Sequence, residues 1–220
     1  MSLYYIRAMI ALGPALALAG PAWHALAPAE FEARGEPQAR IDLADFDRGL
    51  MNAAIFHETN RVRQRLGLPL FTHLPKLDEA ADLKAAVGVT QDELTHDNPL
   101  PMTATLVDRV SAVGLRYRMA AENLARLGVF DLPRGSTHVG VRQRKGQPEF
   151  FHLDSKRPVV NRTYAGFAEA VVESWMNSPP HRANIVNAAF TSLGCATRPT
   201  VSRLNRHEQI YAVQVFFTPR

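Results

Sequence analysis

The amino-acid sequence predicts an α+β fold in which layers of helix and sheet share one core. Segments with helical spacing dominate the earlier part of the chain, and strand-like segments close it. The two kinds do not alternate regularly, which argues against a doubly wound sheet. With 220 residues, 46% of them hydrophobic, the chain is long enough for one sizeable domain.

Four segments place apolar side chains at the 3.6-residue spacing of amphipathic helices. The first ends where Gly67 and Pro69 give a stop signal. The predicted ranges are 45–66, 75–87, 103–114 with Thr103 as its cap, and a fourth from about Thr163 to the double proline Pro179-Pro180. A further helix is expected to begin at these prolines, because the first helical turn leaves its N–H groups unpaired anyway.

Strand-like segments are fewer. Residues 137–154 predict a hairpin whose turn runs from Lys145 to Pro148. The segments 190–198 and 209–217 predict two paired strands near the end of the chain. The single cysteine, Cys195, lies in the first of them, and we expect a buried, inert thiol there.

The first 27 residues have the layout of a secretory signal peptide. Arg7 precedes an apolar run without charge, and small residues follow. Pro28 would make a poor neighbour for a cut after Ala27, so an earlier cleavage site is favoured. An uncleaved anchor is the alternative, but the run is shorter than the roughly 20 residues of a membrane span. We therefore expect a secreted or periplasmic protein with no stable membrane span after cleavage.

Residues 28–44 are rich in Ala, Glu, Pro and Arg without a clear period, and are interpreted as a linker. The net charge is only +4, and the basic residues are scattered. A nucleic-acid-binding protein would show a basic face or stripe. We expect no nucleic-acid partner.

Three polar residues stand where a plain core does not require them. His96 follows a helix, Glu122 is embedded among small apolar residues, and His181 follows the double proline. Imidazole and carboxylate groups can bind a divalent metal such as zinc or perform acid–base chemistry. Each also has a simpler explanation: a turn residue, a carboxylate in the first turn of a helix, and a hydrogen bond across the helix break. Spacing alone does not join them into a site.

Several motifs occur in a fixed order along the chain. They are ETNRVRQRLGLPLF, LPKLDEAADLKAA, the loop with His96, DRVSAVGLRYRMAAENLA and WMNSPPHRANI, followed by FTSLGCA and YAVQVFF. In this order they resemble the CAP superfamily of cysteine-rich secretory proteins, antigen 5 allergens and pathogenesis-related plant proteins. The bacterial SCP-like extracellular branch is the most similar. The resemblance covers about residues 50–217.

The resemblance implies a three-layer α-β-α sandwich over residues 45–220 with a central cavity. His96, His181 and Glu122 would line it, and in some members such a cavity binds a divalent cation. Two departures bear on this expectation. Ser178 stands where animal and plant members have a second acidic residue, which leaves at most three protein ligands. Residues 129–162 form a predicted insertion that either edges the cavity or packs on itself.

Three functions are compatible with these residues. The first is a secreted binding module whose cavity takes a small ligand, a lipid or a divalent cation. The second is a metal-assisted hydrolase that uses His96, Glu122 and His181 with an activated water. The third is a structural or partner-recognition module of the cell envelope. No assembled nucleophile is visible, since Ser178 is better explained as a helix cap, and whether the chain is an enzyme stays open.

Overall fold

A computed structural model describes residues 22–132, 139–144, 147–201 and 207–220. The apolar run of the predicted signal peptide, His138 and the turn residues at 145 and 146 lie outside this part.

The helices and strands of the described residues follow the order that the sequence predicts, with two additions near the start and one long extra strand. They are α1 Pro28–Glu32, α2 Arg48–Arg65, β1 Thr72–His73, α3 Pro75–Gln91, α4 Leu106–Ala112, β2 Tyr117–Gly128, β3 Val139–Arg144, β4 Gln147–His152, α5 Tyr164–Met176, α6 Pro179–Val186, β5 Ser192–Val201 and β6 Glu208–Pro219.

The main sheet has the strand order β1-β5-β6-β2. β6 pairs antiparallel with both β5 and β2, as the sequence predicts for the two terminal strands. β1 adds only two residues, parallel to β5. β2 is therefore an edge strand, with one side of its backbone free to meet other elements.

Both faces of this sheet are covered, so the predicted α-β-α sandwich is confirmed. Along β6, Ala212 and Phe216 face a core that includes α2, α5 and α6, whereas Val213 and Val215 face a second core with α3 and α4. This division follows from the period-two alternation of side chains along a strand. At Gly194, any Cβ would lie 2.4 Å from the Cβ of Leu77, which shows how closely α3 lies on β5.

β2 is the longest element that sequence analysis did not predict. It is twelve residues long and contains Glu122, which the sequence left open as a residue in the first turn of a helix. That alternative is wrong, because Glu122 lies midway along a strand and is paired in register with Val215 of β6. The predicted cap of α4 is also displaced: Thr105, not Thr103, caps the helix, in a capping box with Asp108.

The segment 28–44, interpreted as a linker, is part of the folded domain. Phe31 and Ile41 are buried in the same core as α2 and α5, and so is Trp23 just upstream. The Trp23 ring meets Phe31 edge to face, with 6.2 Å between ring centroids. Single apolar side chains attach this segment, which explains the absence of a periodic pattern.

The predicted hairpin forms from β3 and β4 and is a separate two-stranded sheet. Its inner contact is with the chain just after β2, where the rings of Phe130 and Phe150 lie 4.7 Å apart. Backbone bonds from Val159 and His152 hold it to the segment that follows. The hairpin thus packs on its own stem, one of the two arrangements that the sequence left open.

Candidate functional site

Glu122 is the centre of a polar cluster at the edge of the main sheet. Its Oε1 lies 2.9 Å from His96 Nδ1, and its Oε2 accepts a hydrogen bond of 2.7 Å from Arg109 Nη2. The Glu122 and Arg109 side chains are 2% and 0% exposed, whereas the His96 side chain is 60% exposed. A buried ion pair thus supports an imidazole that faces solvent.

The alternation of β2 separates two neighbouring polar residues. Glu122 shares its face with Leu124, which lies in the core with α3 and α4, and so it reaches Arg109 of α4. Asn123 takes the opposite face, where its amide donates to Gln214 Oε1 at 3.3 Å and to the His181 carbonyl at 3.2 Å. One strand thereby positions both sides of the site.

Two buried cations hold the loop that carries His96. Lys84 Nζ donates to the Asp97 carbonyl and to Asn98 Oδ1, both at 2.9 Å. Arg109 Nη1 donates to the carbonyls of His96 and Thr103 at 3.3 and 3.2 Å. Burial lowers the Lys84 pKa, and the nearby Arg109 charge lowers it further. The loop is therefore fixed from inside the domain even though its tip is exposed.

α6 presents His181 at the free edge of β2. Pro179 and Pro180 begin this helix as predicted, with Ser178 at the N-cap position. The Ser178 side chain makes no capping hydrogen bond, so the cap predicted from the sequence is positional only. Asn184 Nδ2 donates to Asn123 Oδ1 at 2.8 Å and to the Glu122 carbonyl at 3.4 Å, which ties α6 to the strand edge.

His181 lies near His96 without a bond to it. Partial burial lowers the pKa of His181, and the electrostatic effect of His96 lowers it further. Among the hydrogen bonds of the described residues, none joins the His181 ring to His96 or Glu122. The structure therefore joins His96 to Glu122 directly and places His181 beside them.

These three residues do not fit a three-ligand metal centre as they stand. Both carboxylate oxygens of Glu122 are already engaged, one of them by a guanidinium that neutralises its charge. Among the described residues, a different group, His24, His73 and Asp78, brings three donor atoms within 4.8 Å of one another, and His96, Glu122 and His181 do not form such a group. A metal would have to compete with Arg109 for Glu122.

Large apolar side chains stand exposed around the His96 loop. Leu94, Leu100 and Met102 lie on it, and Met102 is 84% exposed. The loop closes on itself through a 2.7 Å bond from the Asn98 N–H to the Ala104 carbonyl. The apolar turn and His96 belong to the same loop between α3 and α4. The exposed set is called the His96 rim below and consists of Leu94, Leu100 and Met102.

A cleft of about 500 Å³ opens on another part of the molecule, between α2, α5 and the segment after α1. Its polar lining includes Glu32, Glu58, Arg61 and Glu169. Burial raises the pKa of Glu58, while its hydrogen bond to Arg61 opposes that rise. None of the three sequence-predicted site residues lines this cleft.

Sequence reasoning missed the residues that support the site. Arg109 and Lys84 are buried cations, and Asn184 clamps α6 to β2. The available signal was positional: Arg109 follows Leu106 by three residues and so lies on the inward face of α4. A charged residue on an apolar helix face indicates a buried partner, although the sequence does not identify Glu122 as that partner.

Comparison with known proteins agrees with this fold. The model of the cysteine-rich secretory protein family (CAP) matches residues 56–216. Among curated proteins, none matches the chain. Within the described part of the chain, no helix is long and apolar enough to cross a membrane.

Among the solved structures that align with this chain are bacterial proteins. One is an extracellular protein of Bacillus anthracis that contains an SCP domain, with a TM-score of 0.50 and 22% identity, covering 77% of this chain and 41% of that one. This chain thus spans about two fifths of that protein.

Two further structures align with lower scores. An outer surface protein of Borrelia burgdorferi has a TM-score of 0.47 and 16% identity, covering 76% and 90% of the two chains. A cysteine-rich secretory protein of Staphylococcus aureus has a TM-score of 0.46 and 16% identity, covering 78% and 39%. With the family model matched over most of its length, this chain belongs to the cysteine-rich secretory protein (CAP) family.

Proposed function

We propose that the chain is an exported binding module whose ligand is a lipid-like amphiphile. The apolar part of the ligand lies against the His96 rim, and its polar head group faces His96 and His181. Export is part of this proposal. It rests on the signal-peptide layout of the first residues and on the similar SCP-domain protein of Bacillus anthracis, which is extracellular.

The exposed rim is the observation that carries the proposal. Single exposed apolar residues are ordinary, but several large ones on one loop mark a surface that binds something. Lys84 and Arg109 hold this loop in place, so the rim does not have to be ordered when a ligand arrives. A fixed apolar surface beside polar groups suits a molecule with both characters.

The polar end suits a head group that makes hydrogen bonds. Glu122 accepts from His96 Nδ1–H, which leaves the Nε2 lone pair of the neutral ring available to a donor. Arg109 balances the charge of Glu122, and the buried Lys84 adds a second positive charge nearby, so the floor of the site is not negative. This arrangement favours neutral or anionic polar head groups over cations.

The same dyad leaves a hydrolase as the second candidate. A carboxylate that orients an imidazole can make it a general base, here toward a water at Nε2. Hydrolysis that depends on His96 is the outcome that would favour this candidate. It is measured with casein as a general peptidase substrate, with and without added zinc.

Binding of a fluorescent long-chain fatty acid tests the proposal. The double variant Leu100→Asp/Met102→Asp should bind at least about tenfold more weakly, because each apolar side chain in contact with the ligand contributes about 1.5–3 kcal/mol. Leu70→Asp is the matched control, since Leu70 is also exposed but lies in the turn after α2. Equal affinity of the double variant and the control would refute the proposal. Solvent extraction and mass spectrometry of the purified wild type should recover the natural ligand.

A further inference from the structure

We infer that His24, His73 and Asp78 form a binding site for a divalent transition-metal ion, with zinc as the probe ion. The three residues come from separate parts of the fold: a short turn of helix at Trp23–Ala25, strand β1 and the first turn of α3. Their donor atoms all lie within 4.8 Å of one another. In a tetrahedral zinc site with bonds of about 2.0–2.2 Å, ligand atoms are about 3.3 Å apart. The limit of 4.8 Å is about 1.5 Å above that spacing, so a small rearrangement would bring the three atoms to one ion.

The carboxylate is oriented as a metal ligand requires. Asp78 Oδ1 accepts a 2.7 Å hydrogen bond from the Cys195 backbone N–H, and Asp78 Oδ2 lies 2.7 Å from His73 Nε2. One oxygen is thus fixed to the sheet, and the other points toward the histidines. Outer contacts of this kind hold ligands in place in known metal sites. No arginine or lysine bonds to Asp78 within the described residues, so its negative charge stays available.

His24 is a partly buried imidazole with one enclosed, unpaired nitrogen. Its Nε2 is enclosed without a hydrogen-bond partner in the described part of the chain. Burial, together with His73 and His57, lowers its pKa to about 3. The ring is therefore neutral at ordinary pH, which is the form that binds metal. Enclosing a ring nitrogen without a partner is unfavourable, and a metal ion would provide the missing partner.

The stacked arrangement of the two histidine rings must change when a metal ion binds. The His24 and His73 rings are stacked, with centroids 3.7 Å apart and planes at 7°. Imidazole lone pairs lie in the ring planes, so those of two parallel rings cannot meet at one ion. Zinc must therefore tilt the two rings out of the stack and replace the proton shared by His73 Nε2 and Asp78 Oδ2, which is released to solvent, while the bond from Cys195 N–H to Asp78 Oδ1 stays in place. In the metal-free chain, stacking keeps the pair together.

The ligand types indicate the class of ion. Two imidazole nitrogens and one carboxylate oxygen suit zinc and neighbouring first-row ions better than calcium or magnesium, which prefer oxygen ligands alone. Three protein ligands leave one position of a tetrahedral zinc for water. The ion would join the segment around Trp23 to β1 and α3. The site is independent of the proposed amphiphile site.

Calorimetric zinc titration of the chelator-treated chain tests the site. The wild type should bind one equivalent at this site. His24→Phe keeps an aromatic ring but removes the ligand, and Asp78→Asn removes the charge; each should weaken binding by more than about 100-fold. The control His96→Ala/His181→Ala should keep the wild-type affinity. Zinc should also raise the melting temperature of the wild type and of the control, but not of His24→Phe.

Two results would overturn the inference. One is zinc binding to His24→Phe and Asp78→Asn with the wild-type affinity. The other is that the His96→Ala/His181→Ala control binds no zinc. Far-UV circular dichroism of each metal-free variant verifies that it is folded, and two ligand variants at different elements guard against a failure of either one. Fatty-acid binding is measured separately, so its outcome does not decide this one.

Discussion

Two histidine–carboxylate pairs in this domain have similar geometry but opposite electrostatic settings. His96 and Glu122 lie 2.9 Å apart, and His73 and Asp78 lie 2.7 Å apart. The second oxygen of Glu122 meets the Arg109 guanidinium, whereas that of Asp78 meets only a backbone N–H. The first carboxylate is neutralised and orients a ring; the second keeps its charge for another cation. The partner of the far oxygen therefore decides what each pair can do.

Removing the guanidinium should have the largest effect. In Arg109→Met, the Glu122 carboxylate stays buried without a countercharge, and several loop carbonyls lose their donor. We expect a loss of about 3–5 kcal/mol in the free energy of unfolding, measured by urea denaturation. Arg144→Met is the control, because its ion pair with Glu149 is exposed and should contribute at most about 1 kcal/mol. Equal losses in both variants would contradict a buried, essential pair.

Next to the second pair, His24 should make the stability of the domain depend on pH. Its folded pKa, about 3, lies below the ordinary value of 6.5, so the unfolded chain binds more protons between these values. This contribution to stability is complete above about pH 6.5 and is lost as the pH falls, by about 2 kcal/mol between pH 7 and 5. Asp78 acts in the opposite direction, because burial raises its pKa.

The difference in pH dependence between the wild type and His24→Phe isolates the His24 contribution to stability. In metal-free protein, denaturation at pH 7 and pH 5 should show that His24→Phe loses about 2 kcal/mol less than the wild type. His57 and His73, which face His24, are present in both chains. A His24→Phe chain with the same pH dependence as the wild type would show that His24 is not shielded from protons.

Substitutions at the helix caps on the two sides of the His96 cluster should have the smallest effects on stability. Thr105 accepts from the Asp108 N–H and completes a capping box at the start of α4, so Thr105→Ala should cost about 1 kcal/mol. Ser178 occupies the same position on α6 without a side-chain bond, so Ser178→Ala should change stability by less than about 0.5 kcal/mol. Thermal unfolding of the two variants measures both. A larger loss of stability in Ser178→Ala than in Thr105→Ala would show that Ser178, and not Thr105, is the stabilising cap.

Much of the layered fold could be predicted from the sequence because its helices are periodic and its last two strands are apolar. β2 could not. It contains no Val, Ile or Thr, and its Ala, Glu, Leu, Arg and Met residues have high helix propensity. Pairing with β6 along the length of the strand overrides that local preference. The insertion hairpin was predictable because turn residues separate two matching segments.

The two histidine clusters differ in how much of each could be predicted from the sequence. His96, Glu122 and His181 stood out through a family resemblance, but the cation that neutralises Glu122 came from another helix. His73 and Asp78 are five residues apart with no recognised metal spacing, and His24 lies inside the predicted signal peptide. Their meeting depends on tertiary packing of the segment around Trp23. No local pattern encodes that contact.

If the chain is exported as proposed, the buried Trp23 indole makes folding depend on where the signal peptide is cut. A peptidase that cut after Ala27 would remove a core side chain and the ring that stacks on His73, leaving a hole beneath Phe31. A cut after Ala19, at the earlier A-x-A sequence, would leave both in the secreted chain. The position of the cleaved bond would then decide whether the mature domain keeps its complete hydrophobic core.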